Sequence, residues 1–134
     1  MEKKFHYRFQ VLEKHLDTFG HVNNATYLEL FEEARWDFIT QNGWPLTRIQ
    51  SEKRGPVILE VQVKFKRELI NREWITVESR FQSLPNPKIL VMNQQMLKEG
   101  QDKVAAEALF TIGFMDLQER KLISHPEDWI KLFQ

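Results

Sequence analysis

Residues 24–41 constrain this chain most, because they form one long amphipathic helix in a sequence that otherwise reads mainly as strands. Tyr27, Phe31, Ala34 and Phe38 recur at helical spacing, and Leu28, Leu30 and Ile39 widen the apolar face. Eighteen residues span about 27 Å. Asn23 or Asn24 can cap the first turn. Glu29, Glu32 and Glu33 lie in the first half, where the helix dipole favours negative charge. Asn42-Gly43 followed by Pro45 is a helix stop. A helix this apolar has to be buried, and the strands must bury it.

The strands announce themselves by alternation. Phe5, Tyr7, Phe9 and Val11 predict a first strand over residues 5–12. Leu59, Val61, Val63 and Phe65 alternate with Glu60, Gln62, Lys64 and Lys66, predicting a second over 59–66. Ile75, Val77, Ser79 and Phe81 mark a third over 74–81. Pro85-Asn86-Pro87 predicts a turn, then a fourth strand over 88–98. The segment Glu99-Gly100-Gln101-Asp102 is the next turn, and residues 103–115 form the last and longest strand. Short turns make the last three strands an antiparallel meander. The expected fold is α+β: one long central helix wrapped by a curved antiparallel sheet of about five strands. Residues 126–133 are expected to form a short helix at an edge.

With 134 residues the chain fits a single domain, 1–134, and can bury enough surface to fold without staples. Nineteen basic and nineteen acidic residues cancel, which argues against a nucleic-acid partner. The absence of cysteine excludes disulfides, thiolate nucleophiles and cysteine-ligated metal. Four scattered histidines make a poor metal site, so no metal is expected. The segment MEKKFHYRFQ has no apolar core of a signal peptide, and no run of residues is long enough to span a membrane. The expected location is cytoplasmic, away from membranes.

The chemistry concentrates in His15-Leu16-Asp17-Thr18-Phe19-Gly20-His21-Val22-Asn23-Asn24. Asp17 is a carboxylate on a glycine-containing loop seven residues before a helix start. The first turn of that helix carries backbone N–H groups with no intrahelical acceptor. These donors favour developing negative charge. A carboxylate beside such donors is the minimum of a hydrolase: a base or nucleophile plus a group that polarises a carbonyl. The same Asp also serves as a turn residue or cap, so the local sequence leaves both roles open.

The run His15-Leu16-Asp17-Thr18-Phe19-Gly20-His21-Val22-Asn23-Asn24-Ala25-Thr26-Tyr27-Leu28-Glu29, with Phe31-Glu32-Glu33-Ala34-Arg35 after it, closely resembles the 4-hydroxybenzoyl-CoA thioesterase family. It is most similar to the bacterial acyl-CoA thioesterase branch, which includes long-chain enzymes. The resemblance implies a hotdog fold over nearly the whole chain. It also implies dimers with active sites at the subunit interface, often paired into tetramers, and hydrolysis of an acyl-CoA without a cofactor. By position, Asp17 matches the catalytic carboxylate. Asn24 matches the residue whose backbone N–H polarises the thioester carbonyl, and Tyr27 matches a recurrent aromatic of the motif, structural or substrate-binding. Some relatives meet the nucleotide phosphates with a basic hairpin between the third and fourth strands. Here that turn offers only Lys88, so Lys64, Lys66, Arg67 and Arg72 are substitute candidates.

Rival assignments stay open at this point. Glu29, Glu32 and Glu33 could supply a carboxylate from the helix itself, as in another hotdog lineage. His15 or His21 could pair with Asp17, and His21 could serve a hydratase or dehydratase. A non-catalytic acyl-CoA or acyl-carrier binder would share the fold.

Overall fold

The computed structural model describes residues 3–134. In chain order it contains β1 (Lys4–Gln10), a 3₁₀ turn (Glu13–His15), α1 (Asn24–Gln41), α2 (Leu46–Glu52) and β2 (Arg54–Phe65). After these come β3 (Trp74–Asn86), β4 (Ile89–Lys98), β5 (Lys103–Asp116), β6 (Lys121–Ile123) and α3 (Glu127–Leu132). The sheet is antiparallel, in the order β1-β3-β4-β5-β2, with β6 pairing β5 as a sixth strand.

α1 has the bounds its sequence predicts, because both ends are built by local chemistry. Asn23 is the cap, its Oδ1 accepting the Ala25 N–H at 2.9 Å. At the other end the Trp44 N–H donates to the Ile39 carbonyl at 2.9 Å, and Gly43 takes φ of 94°. This left-handed stop satisfies carbonyls the helix would otherwise orphan.

The buried face of α1 is Tyr27, Leu30, Phe31, Ala34, Phe38 and Ile39. Three strands reach it from different directions. The Phe5 ring of β1 stacks on Phe38 at 4.3 Å. Gln94 of β4 donates to the Phe31 carbonyl at 3.1 Å. Phe110 of β5 sits edge-on to Phe31 at 5.9 Å. The core face of β5 continues with Ala106, Ala108, Ile112 and Phe114, all buried. The sheet therefore curves round the helix.

Several boundaries differ from the alternation pattern. The first strand ends at Gln10, before the predicted 12. β2 begins at Arg54, well before 59, and includes Gly55-Pro56. Proline is tolerated there because β2 is an edge strand, paired among the described residues with β5 alone. β3 runs on through Pro85 to Asn86, so the turn falls at Pro87-Lys88. Pro85 lies past the last β1 pairing, Lys4 with Arg80, and that side needs no donor. α2 and β6 are additions: α2 buries only Ile49 and β6 spans three residues, too little for a periodic signal.

At the end of the sheet remote from the helix start, α3 seals the core. Trp129 meets Trp44, Phe114 and Phe133 at 5.3–5.5 Å between ring centroids. Buried His125 lies beside them, its Nε2 at 3.1 Å from the Ile112 carbonyl oxygen. Burial holds the His125 imidazole below its ordinary value of 6.5, and burial acts on His15 in the same direction. Unfolding then takes up protons once the pH drops below that value. Stability should be fullest above pH 6.5 and decline as the pH falls through it. Thermal melts at pH 7.5, 6.5 and 5.5 measure this, and His125→Gln should flatten the slope.

Candidate active site

The loop between the 3₁₀ turn and α1 is tightly folded. An isolated bridge between Leu16 and Val22 closes its base. Inside it the Asp17 N–H donates to the His21 carbonyl at 2.8 Å, and the Gly20 N–H donates to the Asp17 carbonyl at 3.0 Å. Gly20 adopts φ of 80°, a left-handed conformation that glycine reaches without strain. The loop is short because Asp17 organises it: Oδ1 accepts the Phe19 N–H at 2.9 Å and the His21 N–H at 3.1 Å.

This leaves Asp17 Oδ2 with no hydrogen bond among the described residues, on an exposed side chain. The His21 N–H, reinforced by the Phe19 N–H, holds the Asp17 carboxyl below its usual range. The group is therefore an anion at any pH near neutrality, with one oxygen anchored and one free.

The helix start supplies the complementary group. Asn23 accepts the Ala25 N–H with its side chain, and its carbonyl accepts Thr26 and Tyr27 at 2.9 and 3.2 Å. The Asn24 N–H is left without an acceptor among the described residues. It is an unused donor at the positive end of an eighteen-residue helix. The bridge at Leu16–Val22 brings the Asp17 loop back to this point.

Tyr27 is buried and packs edge-on to Phe65 of β2 at 4.9 Å. Burial raises the Tyr27 hydroxyl, partly offset by the Leu69 backbone. The same stretch tethers the Asp17 loop, because His21 Nε2 lies 2.9 Å from Glu68 Oε1. Sequence reasoning missed Glu68, and no local pattern marks it.

The basic candidates do not gather in one place. Lys64, Lys66 and Arg67 are exposed near Phe65, at the same end as Tyr27. Lys66 already faces Glu107 at 3.6 Å. Lys88 lies at the other end: Phe65 pairs with Ala106, whereas the Pro87 carbonyl holds His125 beside Ile112. Six residues of β5 separate the two ends by about 20 Å. Arg72 is engaged with Glu13.

The rival groups are also placed. His15 Nδ1 accepts the Leu12 N–H at 2.9 Å, and neither histidine ring bonds the Asp17 carboxylate. Glu33 accepts from the Tyr7 hydroxyl at 3.3 Å. Glu29 and Glu32 border a groove between α1 and β2. A second unforeseen feature lies in that groove. Arg35 Nη1 donates to Gln94 Oε1 at 2.9 Å, and its guanidinium lies 4.1 Å from the Phe110 ring centroid. Burial lowers the Arg35 pKa to about 10, which leaves it charged at neutral pH.

Comparison with known proteins identifies the family. The sequence profile of the thioesterase-like superfamily matches residues 11–133. The chain belongs to this superfamily. It is 33% identical over 110 residues to the long-chain acyl-CoA thioesterase FadM of Escherichia coli, covering 82% of each chain. The crystal structure of YbaW from Escherichia coli, described as a probable thioesterase, superposes with a TM-score of 0.84 at 28% identity. That match covers 96% of this chain and 95% of the other. SAV2348 of Staphylococcus aureus, crystallised with CoA, shares the fold at a TM-score of 0.89 and 18% identity, over 98% and 82% of the two chains. The superfamily's hotdog architecture is thus the α1-in-sheet arrangement described above, and no helix of the described residues is long and apolar enough to cross a membrane.

Proposed function

We propose that this superfamily member is an acyl-CoA thioesterase with Asp17 as its catalytic carboxylate. The observation that carries the reading is the pairing of a free, ionised Asp17 Oδ2 with the unused Asn24 N–H at the start of α1. The thioester carbonyl oxygen accepts the Asn24 N–H, which stabilises the oxyanion as it forms. Asp17 Oδ2 attacks the carbonyl carbon, the C–S bond breaks, and coenzyme A leaves as a thiolate. Water then cleaves the resulting mixed anhydride, releasing the acid and restoring Asp17. Asp17 can instead serve as the general base that deprotonates an attacking water, with the same Asn24 N–H on the oxyanion. Lys64, Lys66 and Arg67, exposed around Phe65 at the Tyr27 end, are the candidates for the nucleotide phosphates.

The experiment is free-thiol release from acyl-CoAs of two to sixteen acyl carbons, with benzoyl- and phenylacetyl-CoA alongside. Release that depends on the acyl group supports the assignment. Enoyl-CoA hydration without thiol release would replace it with a hydratase, and saturable binding without turnover would replace it with a binder.

The active form is a homodimer, with further pairing to a tetramer. β2 is an open edge strand carrying Ile58, Leu59 and Phe65 at 44%, 45% and 50% exposure, and Phe19 stands 84% exposed beside Asp17. An apolar edge of this kind calls for a partner, and a second copy covering it would also shield the thioester from water. Light scattering at micromolar concentration should give at least twice the chain mass, and a clean monomer would exclude the interfacial site. The proposed setting is the cytoplasm, in fatty-acid metabolism.

A further inference from the structure

The segment 66–73, which links β2 to β3, is fixed at both ends. The N–H groups of Lys66 and Arg67 donate to the Ala105 carbonyl of β5 at 2.8 and 3.0 Å. At the far end the Arg72 N–H donates to the Val11 carbonyl at 2.7 Å, and the Val11 N–H donates to the Glu73 carbonyl at 2.9 Å. Glu73 Oε1 accepts the Ile70 N–H at 2.9 Å and lies 3.1 Å from Nζ of buried Lys98. Between these anchors Leu69 is buried in the core. From this rigid mount two side chains reach the Asp17 loop on either side of Asp17. Arg72 Nε donates to Glu13 Oε2 at 2.8 Å, in the 3₁₀ turn that precedes the loop. Glu68 Oε1 lies 2.9 Å from His21 Nε2, in the part of the loop that leads to α1. His21 is also the residue whose backbone holds Asp17 twice. Its carbonyl accepts the Asp17 N–H at 2.8 Å, and its own N–H donates to Asp17 Oδ1 at 3.1 Å.

We infer that the segment 66–73 is a clamp on the Asp17 loop, and that Glu68, acting through His21, is a positioning residue for the reaction at Asp17. The inference rests on the thioesterase reading for the chemistry at Asp17. The loop is already shaped by its own hydrogen bonds, so the clamp places a preformed loop rather than folding one. The His21 and Glu68 side chains are 61% and 58% exposed. An ion pair this wet favours the held arrangement by up to about fivefold and no more. That is enough to be felt in the chemical step, because a misplacement of about 1 Å between reacting groups costs up to about 10²-fold in rate. Glu68 acts on the carboxylate only by way of the His21 ring and backbone, so its loss belongs to kcat and not to KM.

The test has two readouts. In steady-state turnover of an acyl-CoA, Glu68→Ala should lower kcat by about three- to fivefold and leave KM within about twofold. Its melting temperature should fall by no more than about 4 °C. Glu68→Gln keeps an acceptor oxygen for His21 and should recover most of the lost kcat. His21→Ala removes the ring but keeps both backbone bonds to Asp17, so it should match Glu68→Ala. The double variant should be no slower than either single one, since each acts through the other. The second readout is amide hydrogen exchange over residues 18–24, which should quicken by up to about fivefold in Glu68→Ala and in His21→Ala. An unchanged kcat, or losses that add in the double variant, overturns the clamp and leaves the hydrolase standing. So does a change in KM alone, which would make Glu68 a neighbour of the nucleotide phosphates instead. Faster exchange in both variants of a protein that releases no thiol from any acyl-CoA upholds the clamp on the loop and overturns the hydrolase.

Discussion

Asp17→Asn should lower acyl-CoA turnover by about 10³-fold, in the range of losing a positioned base or nucleophile, with the fold and acyl-CoA binding kept. The amide oxygen can still accept the Phe19 and His21 N–H groups that Oδ1 holds now, so the loop keeps its shape. The free oxygen, Oδ2, becomes an amide nitrogen with no charge and no lone pair for attack. Circular dichroism and thiol release on the same sample separate folding from chemistry. Near-normal turnover would sink the assignment and direct attention to Glu32 or Glu33 on α1, Glu32 being one of the two helix carboxylates that border the groove. A single turnover of the wild-type protein in ¹⁸O-labelled water reports the route. Attack by Asp17 followed by cleavage of the anhydride at the aspartyl carbon leaves label in the Asp17 carboxylate and an unlabelled aspartyl oxygen in the released acid, whereas attack of water on the thioester carbon puts the label in the acid alone.

Phe31→Ala should destabilise the protein by about 3–5 kcal/mol, the cost of removing a large ring from a closed core. Phe31 is 0% exposed and lies edge-on to Phe110. Its carbonyl also anchors Gln94, which in turn holds Ser79 and Arg35. A cavity at this point loosens a buried polar network as well as an aromatic contact. The urea midpoint should fall with the slope unchanged, since the denatured surface hardly alters. A loss below about 1 kcal/mol would mean that the sheet collapses onto the helix more freely than its close-packed core implies.

The parts of this molecule that can be read from sequence are those that depend on near neighbours in the chain. α1 is legible because its cap, its stop and its apolar face all lie within twenty-odd residues. The central meander is legible because alternation and turns are local. The Asp17 loop and Asn24 were reached through a contiguous run of residues, and the structure explains that run as a hydrogen-bonded turn leading into a helix. What sequence does not disclose depends on contacts across the fold. The Arg35–Gln94 bond joins residues 59 apart. The His21–Glu68 tether crosses from the loop to the segment after β2. Lys88 and Lys64 look equivalent as basic residues, and only the register of β5 with its neighbours shows that they lie at opposite ends.

The strand order has a kinetic consequence. β3, β4 and β5 are joined by short turns and can zip together as soon as they collapse. β1 must find β3 across the whole length of α1, with Lys4 opposite Arg80, and β2 must find β5, with Arg54 opposite Asp116. Closing such long loops costs entropy before any contact repays it. Refolding should therefore take milliseconds to seconds, slower than a helical bundle of this size. On the ribosome β1 and α1 emerge first and must wait, unpaired, until the meander that encloses them has been made.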